Sequence, residues 1–339
     1  MQINSIKNLK LPSKKDEEFL KIDFETFFSK NFENIKINEF ELENLSSSID
    51  KNSYNSILFD IAKSFSNNQK VLKITKSTQK PIIIDHTNKE LDSLNISSLK
   101  IEVESGVKAS VIEIFSLENS VNFIANRELV LKENSSLEYA KIDNLNKDSS
   151  MIFSTNAKCE DDSNLDIYNF NIGLGFCLNN YENSLDAQNI NYSLNGLNKL
   201  KNSSNSSTLV KTIHNNKNST SSINYKNSLK DNSRAVVKIT SIVNEKAPYS
   251  KAFQNCNSIL LSDDAVVFAQ PHLEIYIDEL EASHGTTTGT LNKDQLYYLQ
   301  SRGISKDEAY DMLLVAFESS IKDSIKDEEL KNLVEEYLK

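Results

Sequence analysis

Tryptophan is absent from this 339-residue chain, and glycine (7), proline (4), histidine (4) and cysteine (3) are scarce. Each shortage closes off a class of chemistry. With so few glycines there is no G-x-x-x-x-G-K-[ST] phosphate loop. Gly173-Leu174-Gly175 opens like a dinucleotide fingerprint, but Leu178 stands where the third glycine belongs, so no nucleotide site is expected. Cys159, Cys177 and Cys256 are odd in number and far apart. No C-x-x-C occurs among them, which argues against a zinc ribbon or a thioredoxin-type motif and for reduced thiols. Basic blocks are missing too. The 48 acidic and 38 basic residues leave a formal charge of −10, the opposite of a nucleic-acid footprint. There is no apolar run of the roughly 18 residues a membrane span needs. Met1–Lys10 lacks an apolar signal segment. The chain therefore reads as cytoplasmic.

What is plentiful is asparagine, serine and aspartate, and turns must rest on them. Residues 1–75 read as a mainly helical N-terminal region. Ser13 is a plausible cap for a helix running from Lys14 to Phe28, and Tyr54–Phe65 forms a second amphipathic segment. From 76 to 285 the period changes to short alternating runs, among them Ser110–Phe115, Ser136–Lys141, Asn164–Asn171 and Ala235–Val243. Many short strands between polar links indicate an all-β domain. No strict repeat is visible, so pattern alone does not separate a sandwich from a stacked solenoid. Leu197–Asn232 is almost entirely polar and is placed within this domain. Leu273, Ile275 and Ile277 alternate with Glu274, Tyr276 and Asp278 as a strand would. A small-residue turn holding Ser283, His284, Gly285 and Gly289 is expected next. Residues 286–339 read as helical. Asn292 with Gln295, and Ser305 with Glu308, are spaced as capping boxes, and Gly303 sits at a helix stop. Ala309, Met312, Leu313, Ala316, Phe317 and Ile321 make one apolar stripe, and Leu330, Leu333, Val334, Tyr337 and Leu338 another.

The stretch Leu273-Glu274-Ile275-Tyr276 with Asp278, then Ser283-His284-Gly285, Gln295-Leu296, Tyr298-Leu299 and Ser301-Arg302-Gly303-Ile304, resembles the C-terminal core of the SufB/SufD family of iron–sulfur cluster assembly proteins. Leu11-Pro12-Ser13-Lys14-Lys15-Asp16-Glu17 is similar to a stretch near the start of SufD proteins, and His214 with Tyr225-Lys226 resembles a further family segment. The resemblance implies a right-handed parallel β-helix core with helical regions at both ends. It also implies a non-catalytic scaffold subunit, closer to SufD than to SufB. Such a subunit pairs with a SufB-like paralogue and docks a SufC-like ABC-type ATPase through its C-terminal helices. No cofactor is then held stably; a transient iron–sulfur cluster lies at the SufB interface.

Two residues become metal candidates. His284 matches the histidine of the SufD turn, and a neutral imidazole ligates iron well. Its plain alternative is a turn histidine bonded to backbone. Cys256, in Asn255-Cys256-Asn257-Ser258, stands where SufB carries its sulfur-accepting cysteine. Only a thiolate would do that work, and the plain alternative is a small buried hydrophobe. The sequence departs from the family pattern at Ala282, where many SufD proteins have cysteine, and at Gly285, where SufB has glutamate. Arg302, Gly303, Glu308, Leu313 and Phe317 are the partner-binding candidates, although an amphipathic helix more often faces its own core. Two other readings stay open: a SufB-like scaffold using Cys256 as sulfur acceptor, and a β-helix enzyme acting on carbohydrate. The latter needs paired carboxylates, for which Asp85, Asp161, Asp162, Asp263 and Asp264 are available, though as turn residues in the plain reading.

Overall fold

The computed structural model describes residues 11–50 and 56–338; Met1–Lys10 and Tyr54 lie outside them. Asparagine sets the architecture. Gly106, Asn134, Asp162, Asn189, Asn218 and Tyr249 all take left-handed φ, between 57° and 72°. Each donates its N–H to a carbonyl of the next turn: to Glu133, Asp161, Gln188, Lys217, Pro248 and Glu279 in order. These residues form one corner of a coil that repeats every 27 to 31 residues, as the in-register stack of Ser136, Asn164, Asn191, Thr220 and Lys251 shows. Asparagine and aspartate enter the left-handed region at little cost, so the chain turns this corner with few glycines.

The strands in chain order are β1 (Asn34–Ile37), β2 (Leu45–Ile49), β3 (Asn68–Ile74), β4 (Ile82–Asp85), β5 (Ser93–Val103), β6 (Lys108–Leu117), β7 (Asn122–Leu131), β8 (Ser136–Leu145) and β9 (Ser150–Cys159). They continue as β10 (Asn164–Asn171), β11 (Phe176–Leu185), β12 (Asn191–Leu200), β13 (Asn205–His214), β14 (Thr220–Leu229), β15 (Arg234–Val243), β16 (Ser250–Leu260), β17 (Val266–Ile275) and β18 (Leu280–Gly289). From β3 onward, alternate strands go to alternate sheets. One sheet runs β17-β15-β13-β11-β9-β7-β5-β3-β2, with β1 also on β5, and the other runs β18-β16-β14-β12-β10-β8-β6-β4. Every pairing is parallel except β2 with β3. The chain is thus a parallel β-solenoid, and its helices lie at the two ends of the sequence: α1 (Glu25–Ser29), α2 (Ile57–Phe65), α3 (Lys293–Ser301), α4 (Lys306–Lys322) and α5 (Glu328–Leu338).

Both faces of the sheets are covered, which is why many strands read as nearly continuous buried runs. The lumen holds the main core, from Leu72 and Leu99 through Phe115, Phe153 and Tyr181 to Val237 and Cys256. Outside one sheet a stripe of one residue per coil (Ile96, Ile124, Ile152, Leu178, Leu209, Val236) lies under Phe19, Phe24, Phe27, Phe28, Phe32 and Leu58. Outside the other, Ile112, Ile142, Tyr168, Phe170 and Leu197 pack against Ile321, Ile325, Leu330 and Val334. Each fully buried large side chain in these flanking stripes adds roughly 1.5–3 kcal/mol to the stabilisation from the lumen.

The structure departs from the sequence reading in three places. Residues 14–28 form only a 3-10 turn at Glu17–Phe19 and the five-residue α1, and three strands follow before residue 75. Ser13 Oγ accepts from Lys15 N, which makes a local turn and not a long-helix cap. The phenylalanines of this stretch pack across the sheet's stripe, and an extended, bent path reaches more coils than a straight helix does. Strands β9, β11, β14 and β16 lie outside the alternating runs read from the sequence; polar residues such as Thr155, Asn179, Asn183, Ser221 and Asn227 interrupt the apolar lumenal face of the first three. Lastly, Ser283, His284 and Gly285 lie inside β18, paired in register with Phe253, Gln254 and Asn255. Pairing to β16 supplies the backbone partners that a turn would leave to water.

Candidate functional site

The solenoid's two ends are unlike. At the first coils Phe40, Leu42 and Leu45 fold against the lumen and close it. Behind them sits a buried polar cluster. Arg127 Nε reaches Glu113 Oε1 and Oε2 at 3.0 and 2.9 Å, His86 Nε2 lies 2.6 Å from Oε1, and the Tyr139 hydroxyl donates to Oε2. Burial alone would raise the Glu113 carboxyl, but the Arg127 guanidinium and His86 hold it well below the usual carboxylate range. Burial keeps His86 neutral. His86 also stacks on Phe115, with centroids 4.7 Å apart, which fixes the ring.

At the last coil no such plug exists among the described residues. β17 and β18 are the final strands of their sheets, and nearly all of β18 is exposed. In a parallel ladder successive N–H groups alternate sides, so half the backbone donors of each edge strand lack a ladder partner. Leu273, Ile277, Leu280 and Ala282 are only half-buried against Val243, Ala247 and Ala252, while Ile275 and Tyr276 are exposed. His284 lies in this open coil. It stands on the same face as Gln254 and Cys256, because Gln254 pairs with His284 and Cys256 with Thr286.

Cys256 is one coil deeper and fully buried. It terminates a ladder of side-chain amides that runs along the lumen, with Asn171, Asn198 and Asn227 stacked in register on one sheet. Lys141 Nζ donates to Asn179 Oδ1 at 2.8 Å, Asn179 to Asn171 at 3.2 Å, Asn171 to Asn198, and Asn198 to Asn227 at 2.7 Å. Asn227 Nδ2 then points at both Cys256 Sγ (3.4 Å) and Ser258 Oγ (3.0 Å). Burial pushes the Cys256 thiol up to about 11, against the Asn227 contact, so it is protonated at neutral pH. Cys159 rises to about 12 for the same reason, and Cys177 well above its usual range; its Sγ contacts Asp143 at 3.3 Å. The sequence reading missed this asparagine ladder, whose signal was Asn171, Asn198 and Asn227 recurring at 27 and 29 residues. Gly196 belongs to the same layer: a Cβ there would lie 2.1 Å from the Tyr225 ring.

His284 and Cys256 are therefore diagonal neighbours on adjacent strands but not a joined site. Among the described residues no three His, Cys, Asp or Glu side chains gather to hold a metal ion. Of the aspartates, Asp162 is a left-handed corner residue, Asp161 Oδ1 accepts from Gln188 N across the same corner, and Asp85 Oδ1 caps Thr87 N. They do turn work.

The C-terminal helices form a second surface. Ser305 and Glu308 complete a reciprocal capping box at α4, and Asn292 caps α3 by accepting from Asp294 N and Gln295 N. α4 is anchored by its second half. Glu318 is buried, with Lys199 Nζ at 2.9 Å and the Ser228 hydroxyl donating at 2.5 Å. Lys226 Nζ donates to Phe317 O at 2.7 Å and lies 4.5 Å above its ring, and burial lowers its pKa. So Phe317 serves the chain's own packing. Arg302, Gly303 and Glu308 are exposed, and Leu313 is half-buried. Around them Tyr297, Tyr298, Met312 and Val315 are more than half exposed or close to it, at 66%, 59%, 50% and 59%. Arg302 lies 5.3 Å from the Tyr298 ring centroid. No helix of the described residues is long and apolar enough to cross a membrane.

Comparison with known proteins gives a consistent result. The family model described as "SUF system FeS cluster assembly, SufBD core domain" matches residues 84–317. The iron–sulfur cluster assembly protein SufD of Escherichia coli (strain K12) is 26% identical over 261 residues, 75% of this chain and 62% of that protein. A SufBD family protein of Methanothermobacter thermautotrophicus (strain Delta H) is 36% identical over 72 residues, 21% of this chain and 18% of the relative. Protein ABCI7, chloroplastic, of Arabidopsis thaliana is 33% identical over 97 residues, 29% of this chain and 20% of the relative. The chain spans at most about three-fifths of the length of these relatives.

Proposed function

The chain belongs to the SufB/SufD family, and on that premise we propose that it is a SufD-like, non-catalytic subunit of a cytoplasmic iron–sulfur assembly scaffold. It pairs with a SufB-like paralogue through β17 and β18, and it docks a SufC-like ABC-type ATPase on the α3–α4 surface. The uncovered last coil carries this reading. Two exposed edge strands side by side are an aggregation hazard in a solitary chain and a ready interface in a paired one. The α3–α4 face, with Tyr297, Tyr298, Met312 and Val315, suits a helix-in-groove contact. The nascent cluster is cargo held between the subunits. From this chain His284 supplies one ligand, and the remaining ligands come from the partner.

The alternative in which Cys256 accepts sulfur, as in a SufB-like scaffold, is less well supported. Its thiol is buried and protonated, whereas attack on sulfane sulfur needs an accessible thiolate. Co-expression with the paralogue and the ATPase is the test. A complex that holds acid-labile sulfide, and loses it in His284→Ala but keeps it in Cys256→Ser, is expected. Loss in Cys256→Ser alone would reverse the assignment, and recovery of the chain without either partner would remove it.

A further inference from the structure

One buried polar atom beside His284 has no partner. Gln254 is only 3% exposed, and its side chain crosses the lumen from one sheet to the other. Its Nε2 donates to Ser241 Oγ at 2.8 Å and to the His272 carbonyl at 2.9 Å. A backbone carbonyl only accepts, so the amide orientation is fixed and the remaining atom is the carbonyl oxygen. That oxygen, Oε1, is shielded from water and accepts nothing. An orphaned buried acceptor costs roughly 1–3 kcal/mol, enough to bias any donor within reach.

The donors in reach are few. Below Gln254 in register is Ile223, which has none. On the diagonals Ser221 shares a hydrogen bond with His214, and the Tyr225 hydroxyl accepts from Asn169 Nδ2, so its own proton is the competing donor from below. On the open side the in-register neighbour is His284, with Thr286 on the diagonal. His284 is exposed, so turning its ring toward the lumen costs little solvation.

We infer that Gln254 is the positioning residue of His284: its carbonyl oxygen takes one ring N–H of the imidazole and leaves the other nitrogen as the lone-pair donor facing the open end. This inference rests on the proposed role of His284 as a ligand. Histidine ligands to metals are commonly oriented by such an acceptor, which sets tautomer and ring plane together. Gln254 thereby links the anchored lumen to the His284 imidazole on the open coil.

The chain has four histidines, so ring-nitrogen NMR on the full, metal-free protein labelled at histidine resolves His284. In the parent chain one His284 tautomer should exceed the other by about tenfold more than in an exposed imidazole, the factor an ordinary hydrogen bond supplies. Its ring N–H should also be protected from exchange. Gln254→Leu should abolish both signs. Gln254→Glu, which keeps an acceptor oxygen, should retain them, and Thr286→Val should change neither. A His284 ring that shows no bias in the parent chain, keeps it in Gln254→Leu, or loses it in Thr286→Val would overturn the inference. Should Gln254→Leu prove unfolded by near-ultraviolet dichroism, the Glu and Val variants with the parent spectrum decide the matter. Failure of His284 as a ligand is read separately, as unchanged cluster loading in His284→Ala, and leaves the ring spectrum of the parent chain untouched.

Discussion

The first and last coils of the solenoid are built from the same backbone and do opposite things. At the first, Phe40, Leu42 and Leu45 seal the lumen over a charge cluster in which Arg127, His86 and Tyr139 satisfy one carboxylate. At the last, the lumenal face of β18 is left in water and one of its neighbours, Gln254, keeps an acceptor oxygen unpaired. A solenoid must end twice, and each end exposes ladder donors and half a core. This chain closes one end on itself and leaves the other bare, and the proposed pairing puts the partner at the bare end.

The contrast is broken most severely at the closed end. Arg127→Met strands the Glu113 carboxylate in a fully buried layer, which should cost about 3–5 kcal/mol in denaturant unfolding. At the open end His284→Ala should move the same measurement by no more than about 0.5 kcal/mol. Equal losses at both ends would mean that the last coil is as integral to the fold as the first.

Acid should discriminate next. His214 is buried beside Ser221 at 2.8 Å, and burial lowers its pKa to about 4. The folded state holds it neutral while the unfolded chain protonates near 6.5. Its contribution is therefore complete above about pH 6.5 and is lost as the pH falls toward 4, by up to about 3 kcal/mol. Stability measured from pH 7 to 4.5 should fall, and His214→Leu should flatten that slope. An unchanged slope in His214→Leu would shift the burden to the Glu113 cluster, whose depressed carboxyl adds a loss at still lower pH.

A smaller effect is expected at the α4 anchor. Glu318→Ala removes the partner of Lys199 and Ser228 and should cost about 1–3 kcal/mol, with faster amide exchange confined to α3 and α4. The mildest probe is chemical. Cys159, Cys177 and Cys256 are all buried, and their thiols are raised by burial, so a thiol reagent at pH 8 should modify none of them until the chain unfolds. Rapid labelling of Cys256 in the native chain would reopen the sulfur-acceptor reading.

How much of this was legible in the sequence depended on where each signal was local. The capping residues Asn292 and Ser305 and the stop at Gly303 were readable, because helix ends are encoded within four residues, whereas of the α4 stripe Met312 and Ala316 are exposed and the polar Glu318 is buried in their place. Strands with apolar lumenal positions, such as Ser136–Leu145, were also found. The solenoid itself was not separable from a sandwich by pattern. Its repeat is carried by corner residues as unlike as Gly106, Asn134 and Tyr249, at spacings that drift by several residues. The small neighbours of His284 suggest a turn where pairing with β16 makes a strand. Cys256 was visible as a residue and its environment was not: the amide ladder from Asn171 to Asn227 joins positions separated by whole coils. Gln254 carried no sequence signal, since its orphaned oxygen is defined by what Ser241 and His272 do to the other end of the amide.

The most direct test of the open end is amide hydrogen exchange on the chain alone and on the chain mixed with the SufB-like paralogue proposed as its partner. Fast exchange along β17 and β18 in the free chain, changing to strong protection of those two strands in the complex while β5 to β9 stay as they were, is the expected result. Protection confined to the N-terminal segment or to α5, with β17 and β18 still exchanging as in the free chain, would contradict the assignment of the last coil as the pairing face.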